Sequence, residues 1–561
     1  MKRREFIKTS VASSAFIVTG GAFTFDKKKN SDNSLIILIF SFILCIGFPL
    51  QVMPQKSETK YEGYNIPIRP GIPGESPFWN TYSKRFMYAP AFDFNLIEKS
   101  TFYRFTAIPL TTNEEFTFDA DEPWAPLSPI WAELPVGHIA LIVEGHDDRN
   151  QILGLSGTRV FYRAAEYNGP YVGQKLDYRE SAERALKFLF NLQPIQTWLE
   201  ARLDTTYFLY CYPSKIIGAV VESMVLYSKI ATGADKEKAL LIARNAADFL
   251  ISISETEGSP FEYFPPTYYT KYESINRWTS TRAKEFQGQL MMTYPADVAN
   301  IYLNLSDATG DKKYFKEAVK IANTYLKTQL PSGTWQLKVW METGEPVNSN
   351  VCMPTSQISL FDRFEQQYQI LDYKTARDSA FKWIMQNPVK TFYWEGQFED
   401  IPPVKEYANL SAKGAMGVAS YLLGHYRQNP KYISLAEEIL RFAEDQFIVW
   451  EKPLPKEEYR TETWLNPCVL EQYRYYTPVG SSATTAMATF QKAYEATGKE
   501  VYLKKATEFA NNLTNVQDSQ TGQYYTLWDT NPKHKWIGWF NCATHDIKAI
   551  LEFDKLIKAE K

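Results

Sequence analysis

The sequence predicts a mainly α chain: an (α/α)6 toroid, six helical hairpins closed into a ring over residues 176–561, preceded by a small antiparallel β-sandwich over 60–170. Three observations predict it. A small-residue-rich helix followed by an amphipathic one recurs five times, one helical segment is left over at each end of that array, and the stretch ahead of it alternates with period two between Pro, Gly and Asp breaks. A length of 561 residues exceeds what one ordinary core fills, which suits several domains or one large closed array. Charge is balanced, 61 Lys and Arg against 64 Asp and Glu for a net of −3, so no basic field exists to neutralise a phosphate backbone and nucleic acid is excluded as a partner. Aromatic residues make up 15% of the chain and charged ones 22%, which suits a core plus a stacking surface and excludes a polytopic membrane protein.

Residues 2–8 read Lys-Arg-Arg-Glu-Phe-Ile-Lys and precede an apolar stretch over 11–25, which resembles a twin-arginine export signal. A second basic patch, Lys27 to Lys29, precedes another apolar run over 35–50, typical of a signal h-region and short for a spanning helix. Cys45 follows Leu44 where a lipoprotein acceptor wants a small residue. The expectation is an exported protein, periplasmic or at the cell surface, that meets the membrane only through a signal or anchor segment at 1–56. The other cysteines, Cys211, Cys352, Cys468 and Cys542, lie far apart with no C-x-x-C, so no metal knuckle is present, buried thiols are expected, and neither metal nor cofactor is assigned.

Between 61 and 170, short alternating runs such as Tyr103-Arg-Phe-Thr-Ala, Phe116-Thr-Phe and Ile139-Ala-Leu-Ile-Val give the sandwich. Pro90-Ala-Phe-Asp-Phe, Tyr103-Arg-Phe, Trp124-Ala-Pro-Leu and Leu134-Pro-Val-Gly-His together resemble a fibronectin-III-like module, which implies an accessory role.

The hairpins follow. Residues 292–314 with 315–327, and 476–501 with 502–512, each place an Ala-Thr-Gly stop between a helix rich in small residues and an amphipathic one; 213–233 with 235–254, 354–371 with 373–386 and 409–428 with 430–446 repeat the pattern. The leftover helices, 180–198 and 544–558, pair as the sixth hairpin and close the ring. Gly218, Ala219, Ala296, Ala299, Ala412, Gly414 and Ala415 let the first helix of each pair sit in a crowded inner ring.

Links from inner to outer helix are short turns, whereas every link from outer to inner is long and opens on an aromatic, strand-like piece, so the long links share one mouth. They supply Tyr263, Trp335, Trp340, Trp394, Glu395, Tyr524 and Trp528 as candidates to stack on and hydrogen-bond sugar rings, joined by Gln287, Trp539 and Asn541 beside helix starts. The candidate catalytic groups are Glu471, Arg474, Tyr475 and Tyr476 in the polar run leading to an inner helix, His545 at the start of the last inner helix, and Glu285. Two chemistries compete for them. A hydrolase needs a protonated carboxyl and a second carboxylate, for which Glu285 and Glu471 serve. Proton abstraction at C5 of a uronic acid needs Tyr or His as base and acid and a cation on the substrate carboxylate, an inventory that Arg474, Tyr475, Tyr476 and His545 hold.

The segment Trp539-Phe-Asn-Cys-Ala-Thr-His-Asp-Ile-Lys-Ala-Ile-Leu resembles the C-terminal segment of D-glucuronyl C5-epimerases, and Phe286-Gln-Gly-Gln-Leu is similar to another helix start of that family. The resemblance implies a uronate-bearing substrate; Asn541 stands where the family carries a proton-transferring Tyr, a departure that bears on epimerisation. The order of β module and toroid resembles the toroid polysaccharide lyases and glycoside hydrolases of glycan-degrading bacteria. The expectation is therefore an enzyme cleaving glycosidic bonds in a uronic-acid-containing polysaccharide, by hydrolysis or elimination, with a C5-epimerase-like enzyme and a non-catalytic glycan-binding protein as alternatives.

Overall fold

Twelve helices carry the described part of the chain, and burial separates them into two sets. The computed structural model describes residues 62–270, 278–399, 403–451, 463–535 and 538–560; the expected signal segment at 1–56 lies outside them, as does Glu462 at the head of the polar run. The first set comprises α2 (Pro213–Ser228), α4 (Tyr294–Thr309), α6 (Thr355–Tyr368), α8 (Ala412–Gly424), α10 (Gly480–Thr497) and α12 (Phe540–Ala559). In α2 the buried residues run almost all round the helix, from Ile216 and Ile217 through Val220 and Val221 to Met224 and Val225. The second set, α1 (Tyr178–Asn191), α3 (Gly233–Ser252), α5 (Lys312–Thr328), α7 (Lys374–Gln386), α9 (Lys431–Phe447) and α11 (Glu500–Val516), is more one-sided, except over the C-terminal halves of α9 and α11, where 442–447 and 508–514 are buried throughout. On α5 the buried stripe is Tyr314, Ala318, Ile321, Ala322 and Tyr325, the spacing of one helical face.

Each member of the first set packs against its neighbours in the set and against one or two members of the second, and α12 packs on α10, α2 and α1, which closes the ring. Close approach needs small residues: a Cβ at Gly218 of α2 would come within 3.2 Å of Ile301 on α4. The Ala-Thr-Gly stops work as read, since Gly310 ends α4 at φ +72° and Gly498 ends α10 at φ +67°, left-handed positions that glycine occupies without strain. Differences in extent have local causes. The segment read as one helix over 180–198 is α1 followed by two short turns, because Pro194 cannot continue it. The helix read from 409 begins at 412, because Leu410 and Ser411 bridge to Glu395 and Gln472.

The expected β-sandwich is not confirmed. β1 (Arg85–Phe86), β2 (Phe102–Pro109), β3 (Phe116–Ala120), β4 (Gly137–His146) and β5 (Ile152–Arg163) form a single sheet in the order β1-β5-β4-β2-β3, antiparallel except for β1 beside β5, which also sets aside the two-sheet fibronectin-III likeness. No second sheet is needed to cover it, because the segment ahead of β2 and the outer helix α9 do so. Phe86 and Phe92 pack on Phe161, and Trp79 packs edge-on against Phe442 of α9. Asp445 of α9 accepts the backbone N–H of Tyr88 at 2.7 Å, and Arg85 donates to the Ile448 carbonyl at 3.0 Å. Sheet and ring thus lie in one compact unit spanning 65–561. Cys211, Cys352, Cys468 and Cys542 are buried and none is in a disulfide among the described residues, and no helix among those residues is long and apolar enough to cross a membrane.

Candidate functional site

In a ring of hairpins the six inner helices run parallel, so their N-termini and the six long links share one end. Three pairs of short strands stiffen that end: β6 (Gln289–Met291) with β7 (Lys338–Trp340), β8 (Ile448–Val449) with β9 (Cys468–Gln472), and β9 with β10 (Tyr475–Pro478). Inside the ring lies a cavity of about 780 Å³ lined by residues of all six inner helices. On α2 its lining extends from Ser214 to Lys229 just past the C-terminus, a rise of about 20 Å.

Charge near the mouth is organised around two lysines. Lys215, in the first turn of α2, pairs with Glu399 at 2.6 Å, and the Tyr294 hydroxyl donates to the other carboxylate oxygen. Tyr268 and Lys338 donate to the Glu399 backbone carbonyl, fixing the residue from behind. Burial alone would push the Glu399 carboxyl up; Lys215 and the hydrogen bonds from Lys215 and Tyr294 overcome it and hold the group below its ordinary value, hence ionised. Lys215 also lies 4.6 Å over the Trp539 ring. Lys413, in the first turn of α8, lines the cavity and among the described residues makes neither a hydrogen bond nor an ion pair.

Three acid–base groups lie within the field of Lys413. Glu471, on β9, is held above the ordinary carboxyl range by burial first, an effect that Lys215 and Lys413 oppose and Glu399 reinforces. Asp297, on α4, is raised in the same sense by the surrounding ring and drawn back by Lys413 and by a hydrogen bond from Ser356. Its surface is nonetheless open to the cavity, so the push is that of a narrow enclosure rather than a dry core. His545, on α12, is pushed down to about 3, by burial first and then by Lys413 and Lys548, so its imidazole is neutral. Further in, Lys548 pairs with Glu222 at 2.6 Å on the cavity wall.

The candidate residues read from sequence fall into three groups. His545 and Asn541 line the cavity, Trp539 packs on Lys215 beside it, and Glu471 lies within the field of the same lysines. A second group sits on the rim. Arg474 and Tyr475 are exposed at the β9–β10 hairpin, Tyr476 stacks on Tyr473 at 6.0 Å, and Trp340 is 41% exposed on β7. The run 471–476 is therefore a hairpin and not the N-terminus of an inner helix, which begins at Gly480. Glu395 is half-buried and pushed up to about 7 by burial, with Asn350 donating to it at 2.6 Å. Gln287 accepts a hydrogen bond from Thr270.

The third group is corrected. Trp335, Trp394, Trp528 and Tyr524 are buried, at 0, 0, 1 and 3% exposure, so no ring face is free for a sugar; their links fold back onto the barrel end, with Trp335 donating to the Tyr325 carbonyl. Tyr263 turns outward, where Lys320 of α5 covers its ring at 4.7 Å. Glu285 is an exposed partner of Arg282 at 2.9 Å and is not in the cavity lining, so it does not pair with Glu471. Sequence reading passed over Lys215, Lys413, Glu222 and Lys548. The first two left a signal: a lysine in the first turn of an apolar helix opposes the helix dipole, a placement that calls for a reason.

No protein-family model and no curated protein matches the chain. Several solved structures are similar to it. A family 76 glycoside hydrolase from a bovine Bacteroides thetaiotaomicron strain is 12% identical, with a TM-score of 0.41 over 81% of this chain and 94% of that one. Cellobiose 2-epimerase from Spirochaeta thermophila is 12% identical, with a TM-score of 0.47 over 68% and 98%. An unsaturated glucuronyl hydrolase specific for heparin is 11% identical, with a TM-score of 0.44 over 68% and 98%.

Proposed function

We propose that the chain is a carbohydrate-active enzyme that cleaves glycosidic bonds in a uronic-acid-containing polysaccharide, exported to the periplasm or cell surface. The observation that carries this reading is the divergence of two carboxyls near one mouth: burial raises the Glu471 carboxyl above its ordinary range, against the pull of Lys215 and Lys413, while Lys215 and Tyr294 hold Glu399 below its own. A proton donor to a leaving oxygen has the first character, and a group that stabilises positive charge at the sugar ring has the second. Lys413 supplies a cation for a uronate carboxylate, and the six converging helix N-termini add to the same field. Trp340 and Tyr475, the two aromatic side chains among the exposed large hydrophobic residues described, offer open ring faces at the rim. A second reading, abstraction of the C5 proton by elimination or epimerisation, is favoured by one contact, the Tyr294 hydroxyl on ionised Glu399.

Incubation of the enzyme with glucuronate-containing and neutral glycans tests the proposal. New reducing ends from acidic glycans support hydrolysis, absorbance of an unsaturated uronate supports elimination, and solvent deuterium at C5 without cleavage moves the assignment to epimerisation. Binding with no product, or turnover of neutral glycans alone, sinks it. In the same assay Trp340→Ala is expected to raise KM for a polymer about tenfold, the worth of about 1.4 kcal/mol of contact, while a disaccharide reacts unchanged. An equal loss on both substrates would show that Trp340 carries no outer sugar.

A further inference from the structure

The wall of the cavity behind His545 holds a polar chain that no role above uses. The His545 Nδ1 lies 3.0 Å from the Thr484 hydroxyl, and that hydroxyl lies 2.6 Å from Asp546 Oδ1. On the other side of the ring, Nε2 lies 3.3 Å from the Thr485 hydroxyl, which donates to the Ser481 carbonyl at 2.7 Å. Asp546 and Thr484 are both at 0% exposure, whereas His545 and Thr485 line the cavity. The other carboxyl oxygen, Asp546 Oδ2, has no partner among the described residues, and neither has the indole N–H of Trp528. A Cβ at position 480 would come within 2.9 Å of both, so Gly480 leaves them one shared space.

The Gly480 and Ser481 carbonyls lie farther from the Thr484 hydroxyl, at 3.2 and 3.4 Å, than its contacts with His545 and Asp546. With the hydroxyl proton spent on one of the two nearer contacts, counting hydrogens along the chain leaves two arrangements, since a hydroxyl donates one proton and a neutral imidazole carries one. Thr485 spends its proton on Ser481, so it offers Nε2 only a lone pair, and the contact is favourable only when Nε2 bears the proton. Nδ1 is then an acceptor and takes the proton of Thr484, whose own lone pair must receive a proton from Asp546 Oδ1. Oδ2 is left as the acceptor facing the Trp528 N–H. With Asp546 ionised the chain reverses: Thr484 donates to Asp546, Nδ1–H donates to Thr484, and two lone pairs meet at Thr485.

We propose that Asp546 is a positioning residue which, as a neutral acid, acts through Thr484 to place the His545 proton on Nε2, on the side of Thr485. Burial supports this, since it pushes the Asp546 carboxyl up to about 8, against a lowering by the Thr484 hydrogen bond. The charged and titratable groups facing the pair are Lys413 from α8, Lys548 of its own helix with its partner Glu222 from α2, and Tyr524 and Cys542 beside Asp546. The lysines disfavour an imidazolium, so the relay selects between two neutral tautomers. Nε2–H makes His545 a hydrogen-bond donor towards a bound sugar; ionising Asp546 makes the same nitrogen an acceptor. That consequence for turnover rests on the function proposed above, whereas the tautomer does not.

Nitrogen NMR of the full chain labelled with 15N-histidine, without substrate, reads the tautomer directly, and His545→Gln identifies the signal among the five histidines. The expected result is the Nε2–H form at about pH 6, passing to Nδ1–H as the pH rises through about 8. Asp546→Asn, whose amide N–H replaces the acid proton towards Thr484, is expected to hold Nε2–H across that range. Thr484→Ser should behave as the wild type, and Thr484→Val should lose both the preference and its pH dependence. An Nδ1–H form at about pH 6, a switch that persists in Asp546→Asn, or an unchanged tautomer in Thr484→Val would overturn the assignment. Should Thr484→Val fail to fold, the Asn and Ser variants decide alone.

Discussion

Lys215→Met is expected to cost about 3 kcal/mol of stability and to abolish turnover. The lysine and Glu399 have side-chain exposures of 20% and 6%, and breaking a buried pair leaves the surviving charge desolvated, at roughly 3–5 kcal/mol. Partial exposure of the lysine places the effect at the lower end. The double variant Lys215→Met with Glu399→Gln should recover most of the loss, because no charge is then stranded. The sign of the pH dependence follows from the Glu399 carboxyl. Held below its ordinary 4.5 in the native protein, it contributes stability that is fully present above that value and is lost as the pH falls through the depressed one. Without Lys215 the push of burial is opposed by the hydrogen bonds from Tyr294 and from the Glu399 backbone, Glu399 takes up a proton more readily, and the gap between variant and wild type narrows in acid. Urea midpoints of the three proteins at neutral and acid pH check this. A Lys215→Met midpoint equal to wild type at neutral pH would mean that the pair does not hold the mouth together.

The same pair shows what a sequence can and cannot disclose. Helix periodicity and the Ala-Thr-Gly stops are local, so the hairpin array and the closing role of the last helix were readable from neighbouring residues, and Gly310 and Gly498 fall at left-handed turns as the pattern requires. The partnership of Lys215 with Glu399 spans 184 positions and depends on ring closure, so no local pattern contains it. Lys215 and Lys413 could have been singled out, because a cation in the first turn of an apolar helix works against the dipole. Aromatic strand-like links were readable as such, but not the direction of each ring: Trp335, Trp394 and Trp528 turn into the core, while Trp340 turns out. The β9–β10 hairpin escaped because its turn, Tyr473-Arg474, lacks the Gly or Asn that marks a two-residue loop. The sandwich failed for a related reason. Alternation shows that a strand hides one face, not what covers it, and here α9 and the segment ahead of β2 take the place of a second sheet.

Glu471→Gln is expected to lower kcat on an acidic glycan by about 10²–10³-fold while leaving folding intact. Burial shifts the balance towards the uncharged carboxyl, so a neutral amide of the same shape resembles the form that burial favours. A group raised above its unfolded value contributes stability below that value and loses it as the pH rises through the folded one. The amide never ionises, so the variant should melt no lower than the wild type in alkali, and the alkaline fall in kcat that the carboxyl imposes should disappear from what activity remains. The outcome discriminates between chemistries. If the bond breaks by hydrolysis, the missing proton donor is felt at the leaving oxygen, and substrates with a good leaving group should be spared relative to the natural glycan. If it breaks by elimination from a base such as Tyr294, Glu471→Gln should keep activity within a few-fold and Tyr294→Phe should lose it instead. Arg474→Ala, at the exposed hairpin turn, serves as the comparison: a loss confined to KM there, beside a loss in kcat at Glu471, separates a rim contact from a group acting in the transition state. Full activity in both Glu471→Gln and Tyr294→Phe would move the chemistry away from this end of the cavity, to Asp297 and the Glu222–Lys548 pair further in.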